Sequence, residues 1–200
     1  CEYDKTLFLS FLLTPLLTGM VVAYITRHAV VTWYQDIHKP WFTPPDYAFG
    51  PAWTTLYLLM GYASYLVFTK SSERGEFPVL AVGLYALQFA MNQMWSLLFF
   101  FFKRWDLALA NISLMILAIL GCIFAFKQVD ERAAYLMVPY LLFVCVAMSL
   151  NIGFIRLNPE FMKNQGMKKS VSEISHRIDV NGDKIGTKEK NKDKVEKKSN

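Results

Sequence analysis

The sequence predicts an all-α membrane protein, a five transmembrane helix up-down bundle. Three observations predict it. Five stretches of 20 to 24 residues contain no Asp, Glu, Lys, Arg or His. The composition is 54% hydrophobic and 16% aromatic, high for a water-soluble domain. All but one of the connections between stretches are under ten residues, which makes consecutive helices run antiparallel.

The stretches are 7–26, 47–69, 79–102, 107–126 and 133–155. A hydrocarbon core of ~30 Å needs about 20 helical residues. Buried strands are far shorter, and a soluble bundle shows polar residues at every turn. Backbone groups in lipid must bond internally, so each stretch is expected to be helical. Pro15, Gly19, Gly61, Gly121 and Pro139 are tolerated there, and Pro15 is expected to kink the first helix. Connections 70–78, 103–106 and 127–132 are short, while 27–46 is a long first loop. Residues 1–158 thus form the transmembrane domain, and 159–200 a charged tail.

Charge separates the two parts. Residues 1–155 hold nine basic and nine acidic side chains, so the net charge of +5 belongs to 156–200. The body offers no basic face to nucleic acid. The tail has no aromatic after Phe161 and cannot offset chain entropy by burial, so it is expected to be disordered. One side of the bundle carries Lys5, Lys70, Arg74, Lys127 and Arg132. The other carries Arg27, Lys39, Lys103, Arg104, Arg156, Lys163, Lys168 and Lys169. The excess places the C-terminus and the long loop in the cytosol. Asp179-Val-Asn-Gly-Asp183 imitates a calcium loop, but Lys184 and Lys190 replace its Gly and Glu. With no Cys/His ligand spacing around Cys1, Cys122 and Cys145 either, no metal site is expected. Lys197 and Lys198 match a retrieval signal for the endoplasmic reticulum, an alternative location. Beginning at Cys1 instead of Met, the sequence reads as a piece or processed form of a longer chain, in preference to a lipid-modified N-terminus.

With no ionisable group in the spans, proton-coupled transport is disfavoured. The usual acids, bases and nucleophiles are also missing there, so no catalytic residue is assigned. The expected ligand is largely apolar. On the third stretch Gln88, Asn92 and Ser96 share one face, with Trp95 beside them. Hydrogen bonding between helices is the favoured reading; polar anchors in an apolar pocket are the other. Trp53 and Tyr57 lie one turn apart on the second stretch. Phe143, Ala147 and Asn151 share a face of the fifth, where Ala147 leaves room for a helix or a ligand. Ala86 and Ala90 give a small-residue pair that a homodimer would use. In the long loop, Pro40, Pro44 and Pro45 add stiffness and Trp33, Trp41 and Phe42 add apolar surface. A lid over the bundle mouth and a membrane-surface loop both fit it.

Several segments, in order across roughly 5–158, resemble the translocator protein / tryptophan-rich sensory protein (TspO/MBR) family, also called the peripheral-type benzodiazepine receptor family. They are Lys39-Pro-Trp-Phe-Thr-Pro-Pro45, Gly50-Pro-Ala-Trp53, Leu56-Tyr57, Met60-Gly61-Tyr62, Gln88-Phe-Ala-Met-Asn92, Trp95-Ser96, Phe99-Phe100, Pro139-Tyr140-Leu141 and Ala147 through Asn151. The resemblance implies a five-helix bundle, often dimeric, in the mitochondrial outer membrane. It implies binding of porphyrins, haem among them as ligand and no cofactor, and of sterols such as cholesterol. By position, the implied pocket lining is Ala23, Phe49, Ala52, Trp53, Asn92, Trp95, Phe143, Ala147 and Leu150. Light-driven porphyrin breakdown in bacterial members uses two tryptophans; Trp53 matches one and Phe143 stands at the other. The family's sterol motif falls on Leu150, Phe154 and Arg156, with Ile152 in place of its tyrosine.

The expected function is therefore binding and handling of tetrapyrroles and sterols within a membrane. The alternatives are a light-dependent porphyrin-degrading enzyme, and an adaptor that acts through its tail.

Overall fold

Helix α1 runs Glu2–Val31, and a four-residue helix α2, Trp33–Asp36, follows it at once. Helix α3 is Asp46–Glu73 and α4 is Val79–Ser96, continued by a π-helical segment, Leu97–Phe101. Helices α5, Trp105–Val129, and α6, Glu131–Leu157, complete the order. The computed structural model describes residues 2–164, and the described residues contain no strand. The chain divides into two units, Cys1–Asn158 and Pro159–Asn200. In the second, residues 159–164 are helical, where a disordered tail was expected. The calcium-loop imitation, the Lys197–Lys198 pair and the rest of the tail lie outside the described residues.

Four of the five expected spans lie wholly on helical backbone, and the third, 79–102, is helical through the π segment to Phe101. Among the described residues, three helices are long and apolar enough to cross a membrane: α1 over Lys5–Val31, α5 and α6. The chain is thus an integral membrane protein. Helices α3 and α4 do not reach that standard. Tyrosine, threonine, serine and glycine dilute α3, while Gln88, Asn92 and Gln93 dilute α4, whose regular turns end at Ser96.

The first connection is shorter than the expected 27–46. Nothing in His28–Val31 breaks a helix, and the Thr32 hydroxyl donates to the His28 carbonyl at 2.6 Å. Within that stretch, Thr32 and 37–45 lack helical structure. Local chemistry sets the other ends. Gly75, at φ 66°, takes the left-handed position after α3. The Asp130 carboxylate caps α6 by accepting from the Arg132 amide at 2.8 Å.

Helix α5 packs between α4 and α6, α3 packs on α6, and α1 packs chiefly on α3. The α1–α3 crossing is close because two glycines permit it. A Cβ on Gly61 would sit 2.5 Å from the Phe11 carbonyl oxygen, and one on Gly19 would enter the Tyr57 ring. The core between α3, α5 and α6 holds Met60, Ile112, Met115, Ile119, Met137 and Val144. By contrast α1 is hardly enclosed: 6% of its apolar window is buried, against 39% for α6.

Candidate functional site

A polar network fixes the floor of the site. The Tyr57 hydroxyl donates to Asn92 Oδ1 at 3.0 Å, and Asn92 Nδ2 donates to Tyr140 Oη at 3.2 Å. Gln93 Nε2 donates to Asn92 Oδ1 at 3.2 Å, and Tyr140 passes its hydrogen to Met115 Sδ at 3.6 Å. Helices α3, α4, α5 and α6 are thereby joined at one level. In an apolar setting each of these groups would be costly unpaired, so the network defines a register.

Above this floor lies a cavity of about 330 Å³, within the range of small-molecule sites. Helix α1 forms one wall with Gly19, Ala23 and Thr26, and α3 forms another with Phe49, Trp53 and Tyr57. Trp95, Phe99 and Phe100 come from α4 and the π segment. Phe143, Ala147, Leu150, Asn151 and Phe154 come from α6 at helical spacing. Trp53 meets Phe143 edge-on at 5.2 Å and Tyr57 at 5.5 Å. Trp95 is held from two directions: its indole N–H donates to Asn151 Oδ1 at 3.2 Å, and its ring stacks on Phe99 at 5.3 Å. Asn151 in turn donates to the Trp105 carbonyl at 3.1 Å. The aromatic surfaces are therefore held in place by contacts within the protein.

The segment 37–45 runs between two lining residues, Tyr34 and Asp46, and supplies no lining residue itself. Asn158, just past α6, clasps His38 at both backbone groups: the His38 amide donates to Oδ1 at 3.0 Å, and Nδ2 donates to the His38 carbonyl at 2.9 Å. Pro40 rests on Gly153, where a Cβ would lie 2.5 Å from the ring. Asp46 lines the cavity, and Lys39 Nζ lies 3.5 Å from its carboxylate and 4.3 Å from the centre of the Tyr34 ring. Burial, with the Asp46 charge adding to it, pushes the Tyr34 phenol up to about 12. Trp41 is 95% exposed at the outer tip of the loop.

Ala23, Phe49, Trp53, Trp95, Phe143, Ala147 and Leu150 come together in this one wall, as does Phe154. Ala52 and Asn92 do not. Ala52 is half-buried outside the lining. Asn92 is spent on two tyrosines, which is the interhelical reading of its stripe. Arg156 points away, exposed, so the expected sterol triplet is not one surface. Sequence reasoning left Tyr34, Phe99 and Phe100 out of the lining. The Phe143–Ala147–Asn151 spacing carried a signal for Asn151. The apolar run of 97–102 carried none for the π segment that turns Phe99 and Phe100 inward.

Among the described residues no cluster of His, Cys, Asp or Glu has the makings of a metal site. The cavity wall contains one ionisable carboxylate, and Lys39 balances it. Such a site can bind a flat apolar body by stacking and offer a few uncharged hydrogen bonds.

Comparison with known proteins agrees with this architecture. The family model described as the TspO/MBR family matches residues 11–157. A tryptophan-rich sensory protein of Cereibacter sphaeroides is 37% identical over 158 residues, covering 78% of this chain and 93% of that protein. The human translocator protein is 35% identical over 143 residues, 72% of this chain and 85% of the relative. A tryptophan-rich protein of Archaeoglobus fulgidus is 34% identical over 149 residues, 74% and 94% respectively.

Proposed function

Because this chain belongs to the TspO/MBR family, we propose that it binds tetrapyrroles, and secondarily sterols, in the cavity beneath the 37–45 loop and hands them on within a membrane. The observation that carries this reading is the wall itself. Trp53, Trp95 and Phe143 present rings from three helices to one space, and each is held by protein neighbours. Pre-set aromatic surface binds a flat macrocycle at little ordering cost. The relatives' names, translocator and sensory protein, are consistent with ligand handling. In this reading α3 and α4 also cross the bilayer, which makes five crossings. The excess of Lys and Arg beside the 37–45 loop places that end in the cytosol, and the mitochondrial outer membrane is the proposed location, ahead of the endoplasmic reticulum.

The experiment is a dark titration of the purified protein with protoporphyrin IX, read by tryptophan quenching. Saturable quenching is expected, weakened about tenfold by Ala147→Leu, which fills the wall, and by Trp53→Ala, which removes a ring. Linear quenching, identical in all three proteins, overturns the reading. We assign binding, not catalysis, because Phe143 lacks an oxidisable indole beside Trp53. Illumination of the same samples tests that assignment: porphyrin loss that depends on Trp53 would make the protein an enzyme.

A further inference from the structure

Helix α3 gives the cavity beside Trp53 one continuous stripe. Asp46, Phe49, Gly50, Trp53, Thr54 and Tyr57 all line it, at the three- and four-residue steps that keep side chains on one helix face. Tyr57 ends the stripe at the polar floor, where it bonds Asn92. Asp46 ends it at the start of the helix. From Asp46 to Trp53 is two helical turns, about 10 Å along the axis at 1.5 Å per residue. Gly50 stands between them, and a Cβ there would meet nothing within 4 Å, so there is open space beside the stripe.

Asp46 is the one charged side chain among the described lining residues. Its partners are Gln35, whose Nε2 donates to Oδ2 at 2.9 Å, and Lys39, whose Nζ lies 3.5 Å from Oδ1. Neither partner lines the cavity. The Lys39 ammonium is also shared with Gln35 Oε1 at 3.3 Å and the Tyr34 ring at 4.3 Å. A carboxylate has about four acceptor positions, and these two partners leave some of them open. The ion pair is neutral as a whole, yet the negative member is the one that borders the ligand space. Its field is felt in the wall, since the Asp46 charge adds to burial in raising the phenol of Tyr34, another lining residue. A second cavity, of about 380 Å³, lies between α1, α3 and α4. No charged side chain is among the described residues that line it, so it has no counter-charge to offer.

A stripe of rings that ends on a carboxylate complements an aromatic body with a cation at one end. The ammonium gains a charge-assisted hydrogen bond, and the ring faces add attraction for it. We propose that the first cavity, beside Trp53, also takes flat aromatic amines in their protonated form, with the rings along Phe49 and Trp53 and the ammonium on Asp46. The inference shares the cavity of the tetrapyrrole reading and does not depend on that ligand.

The test uses the full chain in phosphatidylcholine nanodiscs, whose headgroups carry no net charge. The probes are aminomethyl-anthracene and hydroxymethyl-anthracene, alike in shape and different in charge at neutral pH. Binding is read by energy transfer from tryptophan to anthracene, with protein-free nanodiscs subtracted. The amine is expected to bind about tenfold more tightly than the alcohol. Asp46→Asn should bring the ratio of the two affinities close to one, and Asp46→Glu should keep most of it. Lys39→Met removes the competing cation and should widen the ratio. Helical circular dichroism near the wild-type value shows that each variant folds. A wild-type ratio near one overturns the proposal, as does a ratio that Asp46→Asn leaves unchanged. Protoporphyrin quenching of the wild type is measured in parallel. Saturable quenching without an amine preference overturns this inference alone. An amine preference with only linear quenching overturns the tetrapyrrole reading alone.

Discussion

Asn92 illustrates what a single side chain does in this bundle. Its amide joins Tyr57 and Tyr140, so Asn92→Ala leaves two phenols short of partners. Removing one partner from a buried pair costs about 1–3 kcal/mol, with the lower end expected in a membrane. We expect a lower thermal midpoint in detergent, with protoporphyrin affinity changed far less than by Trp53→Ala. The sequence placed Asn92 on a face with Gln88 and Ser96, and periodicity alone says nothing of what that face meets. Two tyrosines from α3 and α6 converge there only after folding, so the choice between strut and ligand contact was not legible. Tyr34 gives a pH test. Its folded-state phenol titrates near 12 instead of 10, so the folded form holds the proton more tightly. Its contribution is complete below pH ~10 and is lost as pH rises towards ~12. The late part of the tyrosinate absorbance titration should shrink by one group in Tyr34→Phe, and ligand release should quicken over the same window.

At the scale of elements, the 37–45 loop depends on one residue beyond α6. Asn158 supplies two hydrogen bonds to His38, each with a net value of about 0.5–1.5 kcal/mol. Asn158→Ala is therefore expected to raise the dissociation rate of protoporphyrin roughly 5- to 150-fold by stopped flow, with little change in helix content. An unchanged rate would mean that the loop is no barrier to exit. Gly153→Leu, which displaces Pro40 from its seat, should act in the same direction. The prolines and aromatics announced a stiff apolar loop; the structure docks it on the end of α6 through Asn158 and Gly153 and leaves Trp41 exposed. The clasp itself was invisible, since His38 and Asn158 are 120 residues apart and the Asn158 amide meets only backbone atoms of His38. The helix ends were legible only in part. Charge marked where the lipid-facing run stops, while α1 continues to Val31 because hydrogen bonding, not hydropathy, decides where a helix ends.

At the scale of the molecule, α1 borders both cavities yet is itself barely enclosed. Its seat is the crossing on α3, and that crossing exists because Gly61 lets the Phe11 backbone approach and Gly19 admits the Tyr57 ring. A side chain at Gly61 meets backbone atoms that cannot rotate away, so α1 must move out. Its own backbone hydrogen bonds are internal and its outward face is apolar, so lipid can still solvate it. Separation of α1 from α3 is thus expected to open both cavities without unfolding the remaining bundle of α3 to α6, whose core contains no α1 residue other than Leu16 at its edge. Gly61→Val should weaken protoporphyrin binding by moving one wall, as Ala147→Leu does by filling another. Helical circular dichroism should stay near the wild-type value in both. If Gly61→Val left protoporphyrin binding unaffected, the first cavity would be closed by α3 to α6 alone and α1 would be a passive neighbour. If it removed helix content as well, α1 would be part of the folding unit and not a movable wall.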